Sequence, residues 1–195
     1  MNIIERLFSI ILTIVRDLAG ALIGGFMSAP KEAITRAIGE IQVRRAAPSE
    51  VIDVRHAVLR AGRPRSTAFF SGDDHAHTRH WIAKAGDDII GVVSTMAADF
   101  PSPNELPPDQ PIPRRQLRGM ATLPTWRGKG IGRSLLSVLE QETAEPIWCN
   151  ARESAVGFYE RNGWQVVGEP FEIDPIGTHF KMVKFVPSQL GEQTA

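Results

Sequence analysis

Apolar and polar positions follow two regimes along this chain. Through residues 1–27 apolar residues dominate, and the polar ones (Asn2, Glu5, Arg6, Ser9, Thr13, Arg16, Asp17 and Gly20) recur at helical spacing as one narrow stripe. From Ile41 onward, short alternating or β-branched runs take turns with helix-period segments. Ile41 to Ala46 predicts a first strand. Ser49 then suits an N-cap for a helix carrying Val51, Ile52, Val54, Ala57, Val58 and Leu59, stopping near Gly62. His80 to Ala85 and Ile89 to Ala97 predict a hairpin about Gly86-Asp87-Asp88. Six prolines between Asp99 and Pro113 predict an exposed connection. Arg114 to Leu123 reads as a strand, followed by a glycine-rich turn and a helix to about Thr143. Ile147 to Asn150 has the continuous apolar character of a central parallel strand. Ser154 to Arg161 predicts a helix ended by Asn162-Gly163, and Trp164 to Val167 with Thr178 to Val186 supply the last strands. This order implies an α/β fold, a mixed sheet with helices on its faces.

The first segment needs its own account. Glu5, Arg6, Arg16 and Asp17 interrupt its apolar runs, so none reaches the roughly 18 residues of a spanning helix. The same charges spoil the basic start and clean apolar stretch of a secretory signal. Three readings stand: packing on the domain or a partner, contact with a membrane interface, or an over-extended reading frame with Met27 as the true start. Two arginines balanced by two acids weigh against the membrane reading. The expected organisation is therefore residues 1–40 as an amphipathic helix and linker, residues 41–186 as one domain, and residues 187–195 as a tail.

Composition narrows the function classes. A formal net charge of +0 gives no broad nucleic-acid-binding face. The single cysteine, Cys149, excludes an internal disulfide or a multi-cysteine metal site. Its apolar run Pro146-Ile147-Trp148-Cys149 predicts a buried, inert thiol, and a reduced, cytoplasmic setting fits. Asp73, Asp74, His75, His77 and His80 form a polar cluster whose spacing matches no recognisable ligand set, so no metal is expected.

The chemistry concentrates at Arg127-Gly128-Lys129-Gly130-Ile131-Gly132. Glycines at alternate positions let backbone N–H groups converge on an anion at a helix N-terminus. A P-loop requires Ser or Thr after its lysine, and Gly130 follows Lys129; a Rossmann turn begun at Gly128 requires glycine where Arg133 stands. The remaining pattern, Gln/Arg-x-x-Gly-x-Gly/Ala, is met by Arg127, Gly130 and Gly132. Here the chain resembles the GNAT superfamily of N-acetyltransferases. Met120-Ala121-Thr122-Leu123-Pro124 is similar to the end of that family's fourth strand. Phe158-Tyr159-Glu160-Arg161-Asn162-Gly163-Trp164 is similar to its Phe-Tyr-x-x-x-Gly-Phe block, with Trp164 as the final aromatic. The resemblance covers about residues 41–186.

The resemblance implies a mostly antiparallel twisted sheet flanked by helices, and acetyl-CoA as co-substrate. Amine acetylation by a thioester needs a neutral amine, a stabilised oxyanion and a proton for the departing thiolate. By resemblance, backbone N–H groups of about Thr122 and Leu123 face the pantetheine and thioester carbonyl. The segment Arg127, Gly128, Lys129, Gly130, Ile131 and Gly132 takes the pyrophosphate, with Arg133 and Ser134 beginning the helix. Tyr159 is the general-acid candidate, against the alternative of an aromatic packed in the core. Relatives carry Asn where Arg152 stands, so Asn150 or Arg152 is expected to contact the cofactor, unless the pair only finishes a strand. Arg114 to Leu123 holds no carboxylate to serve as base. His179 is the substitute candidate, with water-mediated deprotonation as its rival. Glu169, Glu172 and Asp174 are placed to attract an ammonium, and the 73–80 loop, with His80, is expected to border the acceptor pocket. The implied reaction is acetyl transfer from acetyl-CoA to a primary amine of a small molecule or peptide. A non-catalytic acyl-CoA sensor and a membrane-peripheral acyltransferase are the rival readings.

Overall fold

Seven strands share one sheet in the computed structural model, which describes residues 41–185. The expected N-terminal helix and C-terminal tail lie outside the described residues. The strands are β1 (Ile41–Ala46), β2 (Arg79–Ala85), β3 (Asp88–Ala97), β4 (Arg115–Thr122), β5 (Ile147–Arg152), β6 (Gln165–Ile173) and β7 (Gly177–Lys184). Their order is β1-β2-β3-β4-β5-β7-β6. The β4–β5 pair is parallel, while β2–β3, β3–β4, β5–β7 and β6–β7 are antiparallel. Three helices accompany the sheet among the described residues: α1 (Ile52–Leu59), α2 (Ile131–Thr143) and α3 (Val156–Glu160).

α1 and α2 cover opposite faces. On one, Val51, Ile52 and Val54 pack with Ile82, Val92 and Ala121. On the other, α2 buries Ile131, Leu135, Leu136 and Leu139, an i, i+4, i+5, i+8 stripe. Each such burial stabilises by roughly 1.5–3 kcal/mol over exposure. β3 has no side chain where α2 comes closest: a Cβ on Gly91 would lie 2.8 Å from the Ile131 side chain. A third cluster joins Phe100, Trp148, Val167 and Val183, and the Trp148 indole donates to the Ala98 carbonyl at 2.7 Å.

Several predicted boundaries move. Ser49 is not an N-cap: a 3-10 turn over Pro48–Val51 precedes α1, and the Glu50 carboxylate accepts from the Ala47 N–H at 2.8 Å. The segment after β5 is a 3-10 turn, Glu153–Ala155, and only then the short α3. β6 runs well past Val167, because pairing to β7 resumes after an irregularity between Val167 and Phe171. The proline-rich connection is exposed over most of its length, yet Phe100 is buried edge-on against Trp148.

The feature that positions the site is where β4 and β5 part. They pair at Arg115↔Ile147, Gln116↔Trp148 and Leu117↔Cys149, and no further. At that level β4 bulges: Ser94 faces Arg118 and Val92 faces Ala121, leaving Gly119 and Met120 opposite Val93 alone. Gly119 takes φ +62°, and a Cβ there would lie 2.5 Å from Arg55 Nε. Only glycine satisfies both conditions. Beyond the bulge, Met120–Thr122 and Asn150–Arg152 form the two walls of a wedge.

Candidate active site

A cleft of about 1160 Å³ occupies this wedge, lined by residues from both faces of the sheet. Strand alternation assigns the walls. Met120 lies on the α2 side, near the place a Gly132 side chain would take, and Cys149 faces α3, where it meets Tyr159. Arg118 lies on the α1 side, with a nitrogen 2.9 Å from Asp73 and its guanidinium over the Phe70 ring. Arg152 reaches the carbonyl of Leu59, at the end of α1, and Asn150, two residues earlier, shares that face. His179 is the cross-strand partner of Arg152 and so belongs there too.

The glycine turn closes one end. Gly128 and Gly130 take φ +74° and +82°, and no atom lies within 4 Å of a Cβ built on either. Their backbone is therefore bare towards the cleft. Gly130 caps α2, and its carbonyl accepts the first helical hydrogen bond, from Ser134 N–H, at 3.0 Å. The N–H groups of Ile131, Gly132 and Arg133 thus have no partner within the helix, the condition for binding an anion. Gly132 has a different reason: a Cβ there would lie 3.0 Å from the Phe158 ring, so it admits α3 rather than a ligand. Arg127 and Arg133 line the cleft. Lys129 does not; its ammonium rests 4.8 Å from the Trp126 ring centroid. The expectation for Leu123 is corrected, because its N–H donates to the Ile90 carbonyl at 2.9 Å. In an antiparallel ladder alternate amides point to opposite neighbours, which turns the Thr122 N–H away from β3, towards the wedge.

Tyr159 sits at the base of the wedge, 6% exposed, its ring edge-on to Phe158 and Trp164. Its hydroxyl points at Met120 Sδ, 3.6 Å away, and at the Cys149 thiol. Burial, with the neighbouring thiol, holds the phenol well above its ordinary range, so it stays protonated. Burial likewise pushes the Cys149 thiol up, keeping it un-ionised.

His179 is 5% exposed and lines the cleft. Its Nδ1 lies 2.7 Å from the Gly177 carbonyl. A carbonyl only accepts, so Nδ1 donates, and a neutral ring then carries its lone pair on Nε2. Other expectations are corrected. His80 does not face the cleft but is buried between Ser94 Oγ (2.6 Å) and the Asp73 carbonyl (2.8 Å); burial lowers its pKa and disfavours charge. Glu169, Glu172 and Asp174 do not line the cleft, and Glu172 accepts from the Thr178 hydroxyl at 2.6 Å.

The cleft includes residues that the sequence reading passed over. Arg60, Arg118 and Phe70 line its α1 side, and the guanidiniums of Arg55, Arg60 and Arg118 lie 4.4, 5.1 and 5.5 Å from the Phe70 ring centroid. Beneath them Arg55 Nη1 meets Asp73 Oδ2 at 2.6 Å, both side chains fully buried, and Arg55 Nη2 donates to Ser94 Oγ at 2.7 Å. One signal was available. Arg55 interrupts the apolar stripe of α1 three residues after Ile52, and a charge on a core-facing stripe demands a partner.

Comparisons with known proteins point the same way. A family model described as an acetyltransferase (GNAT) domain matches residues 76–166. The chain is 31% identical over 148 residues to an uncharacterized N-acetyltransferase, YitI, of Bacillus subtilis (strain 168), spanning 74% of this chain and 95% of that protein. Among solved structures, Escherichia coli ElaA superposes with a TM-score of 0.55 at 20% identity, covering 74% of this chain and 99% of that one. An aminoglycoside 6'-N-acetyltransferase complexed with coenzyme A gives 0.55 at 14% identity, covering 74% and 96%.

Proposed function

Since the chain belongs to the GNAT superfamily and is an acyltransferase, we propose that it moves an acetyl group from acetyl-CoA to a primary amine of a small molecule or peptide. One observation carries this reading: a single cleft joins the bare amides of the glycine turn to a protonated, buried Tyr159 on one face and to His179 on the other. The donor end fits a pyrophosphate, because Gly128 and Gly130 leave their backbone open and Arg127 and Arg133 add positive charge. On this reading Asn150 and the Thr122 N–H meet the pantetheine and thioester along the wedge.

Roles follow from the two faces. The amine approaches from the α1 side, where His179 Nε2 takes its proton, directly or through water. The Thr122 N–H donates to the carbonyl oxygen as negative charge develops there. Tyr159 donates its phenolic proton to the departing thiolate from the α3 side. Acid and base on opposite sides of the sheet do not quench each other.

Release of free CoA from acetyl-CoA, measured over an amine panel with the full chain, tests the proposal. The expected result is amine-dependent release together with formation of the acetylated amine. Tight CoA binding without release for any amine would favour the sensor reading instead. Among the described residues no helix is long and apolar enough to cross a membrane.

A further inference from the structure

The α1 side of the cleft is strongly one-signed. Arg60, Arg118 and Arg152 line it, and none of the residues lining the cleft is Asp or Glu. Arg118 shares Asp73 with the buried Arg55, so that carboxylate is already committed twice. Arg60 and Arg152 have no carboxylate partner among the described residues. Their nitrogens instead share one carbonyl, that of Leu59, at 3.0 and 3.2 Å. Each guanidinium carries five N–H donors, of which that carbonyl takes one. Burial, then the charges of Arg152, Arg63 and Arg55, lower the Arg60 pKa, the direction expected where cations crowd without a counter-charge.

Two guanidiniums drawn together on one carbonyl, beside a third, repel one another and leave unspent donors facing a cleft. An ammonium acceptor with no other charge would meet only repulsion here. We propose that the acceptor carries an anionic group, carboxylate or phosphate, close to its amine, and that Arg60 and Arg152 clamp this anion. The inference rests on the acetyl-transfer reading and names the acceptor class for it. Planar forked donors suit both oxyanions. The same positive field lowers the pKa of the acceptor ammonium, so more of it is neutral at working pH and less is asked of His179. This accounts for a base site without a carboxylate on β4. It also reassigns Arg152 from the donor to the acceptor.

The test uses acetyl-CoA and matched acceptor pairs with the full chain: phenylalanine against phenethylamine, and O-phosphoethanolamine against ethanolamine. The anionic member of at least one pair is expected to be preferred by tenfold or more in kcat/KM, and the pair that shows it distinguishes carboxylate from phosphate. Arg60→Gln and Arg152→Gln are each expected to raise the KM for that acceptor roughly 10- to 100-fold, the loss of one charge-assisted contact. The KM for acetyl-CoA should not change, and the KM for the neutral partner, relieved of one repelling charge, should not rise. Equal or reversed preference in both pairs overturns the inference, as does a rise in the acetyl-CoA KM in place of the acceptor KM. If no acceptor turns over, calorimetry with N-acetylphenylalanine against N-acetylphenethylamine, and N-acetyl-O-phosphoethanolamine against N-acetylethanolamine, reads the same preference; no excess affinity for either anion overturns it. Failure to bind acetyl-CoA at all would instead sink the acetyl-transfer reading, while the product comparison still decides the anion.

Discussion

At the scale of single residues, the two groups at the base of the wedge differ in what burial does for them. A catalytic acid must keep its proton until the leaving group needs it, and burial of Tyr159 against Cys149 raises its pKa and secures this. Tyr159→Phe keeps the ring packing against Phe158 and Trp164 but removes the proton. Turnover is expected to fall by about 10²- to 10⁴-fold, the usual range for a general acid, with CoA affinity by calorimetry nearly unchanged. Full turnover in the Phe variant would leave Tyr159 a packing residue. For Cys149 the same burial makes the thiol inert, since the thiolate is the reactive form. Iodoacetamide at neutral pH is expected to leave Cys149 unmodified in native protein and to alkylate it after denaturation, as read by intact mass. Rapid alkylation of the native protein would mean that the base of the wedge opens to solvent.

At the scale of elements, the bulge in β4 organises the site, and it was the least legible feature in the sequence. The glycine turn could be read because all its determinants lie within six consecutive residues. The hairpin of β2 and β3, the α2 stripe and Tyr159 on its short helix were legible for the same reason. Gly119 looked like one more glycine in a strand. Its role arises from pairing with β3 some 25 residues earlier and from Arg55 further back, which local pattern does not encode. The face assignment of Arg60, Phe70, Arg118 and Arg152 was hidden likewise, since it depends on where β4 and β5 separate. Gly119→Ala must meet Arg55 Nε at 2.5 Å while holding φ at +62°. It is expected to cost about 1–3 kcal/mol in urea unfolding from overpacking, with further strain from the left-handed backbone. Acceptor kinetics should suffer more than CoA binding, because the glycine turn lies on the far side of the bulge. A variant of unchanged stability and KM would show that β4 can part from β5 without the bulge.

At the scale of the whole molecule, the buried charge network ties α1, the 60–78 connection, β2, β3 and β4 into one unit through Arg55, Asp73, His80, Ser94 and Arg118. A charged network in a core is costly to assemble, and its cost recurs wherever one member is lost. Arg55 Nε and Arg118 Nε are buried without a partner, so the network has no slack to absorb a deletion. Burial alone would push the Asp73 carboxyl up, but hydrogen bonds from Arg55 and from the Phe70 N–H, the Arg55 charge and the contact with Arg118 together hold it below its ordinary value of 3.8. With a depressed folded-state pKa, the unfolded chain takes up the proton first as pH falls. The stabilisation from Asp73 is therefore complete above about pH 4 and is lost as acid carries the medium through the folded-state value. Asp73→Asn leaves Arg55 charged, buried and without its counter-ion, and is expected to cost about 3–5 kcal/mol in urea unfolding at neutral pH. The variant should also lose the part of the acid dependence below pH 4 that Asp73 supplies, so the two stability curves converge as pH drops. Replacing both partners, as Arg55→Met with Asp73→Leu, removes the buried Arg55 charge but leaves the partly exposed Arg118 without Asp73, so it should recover only part of the loss. Parallel curves for wild type and Asp73→Asn down to low pH would mean that the ion pair does not persist in solution and that the α1 face of the cleft is held by packing alone.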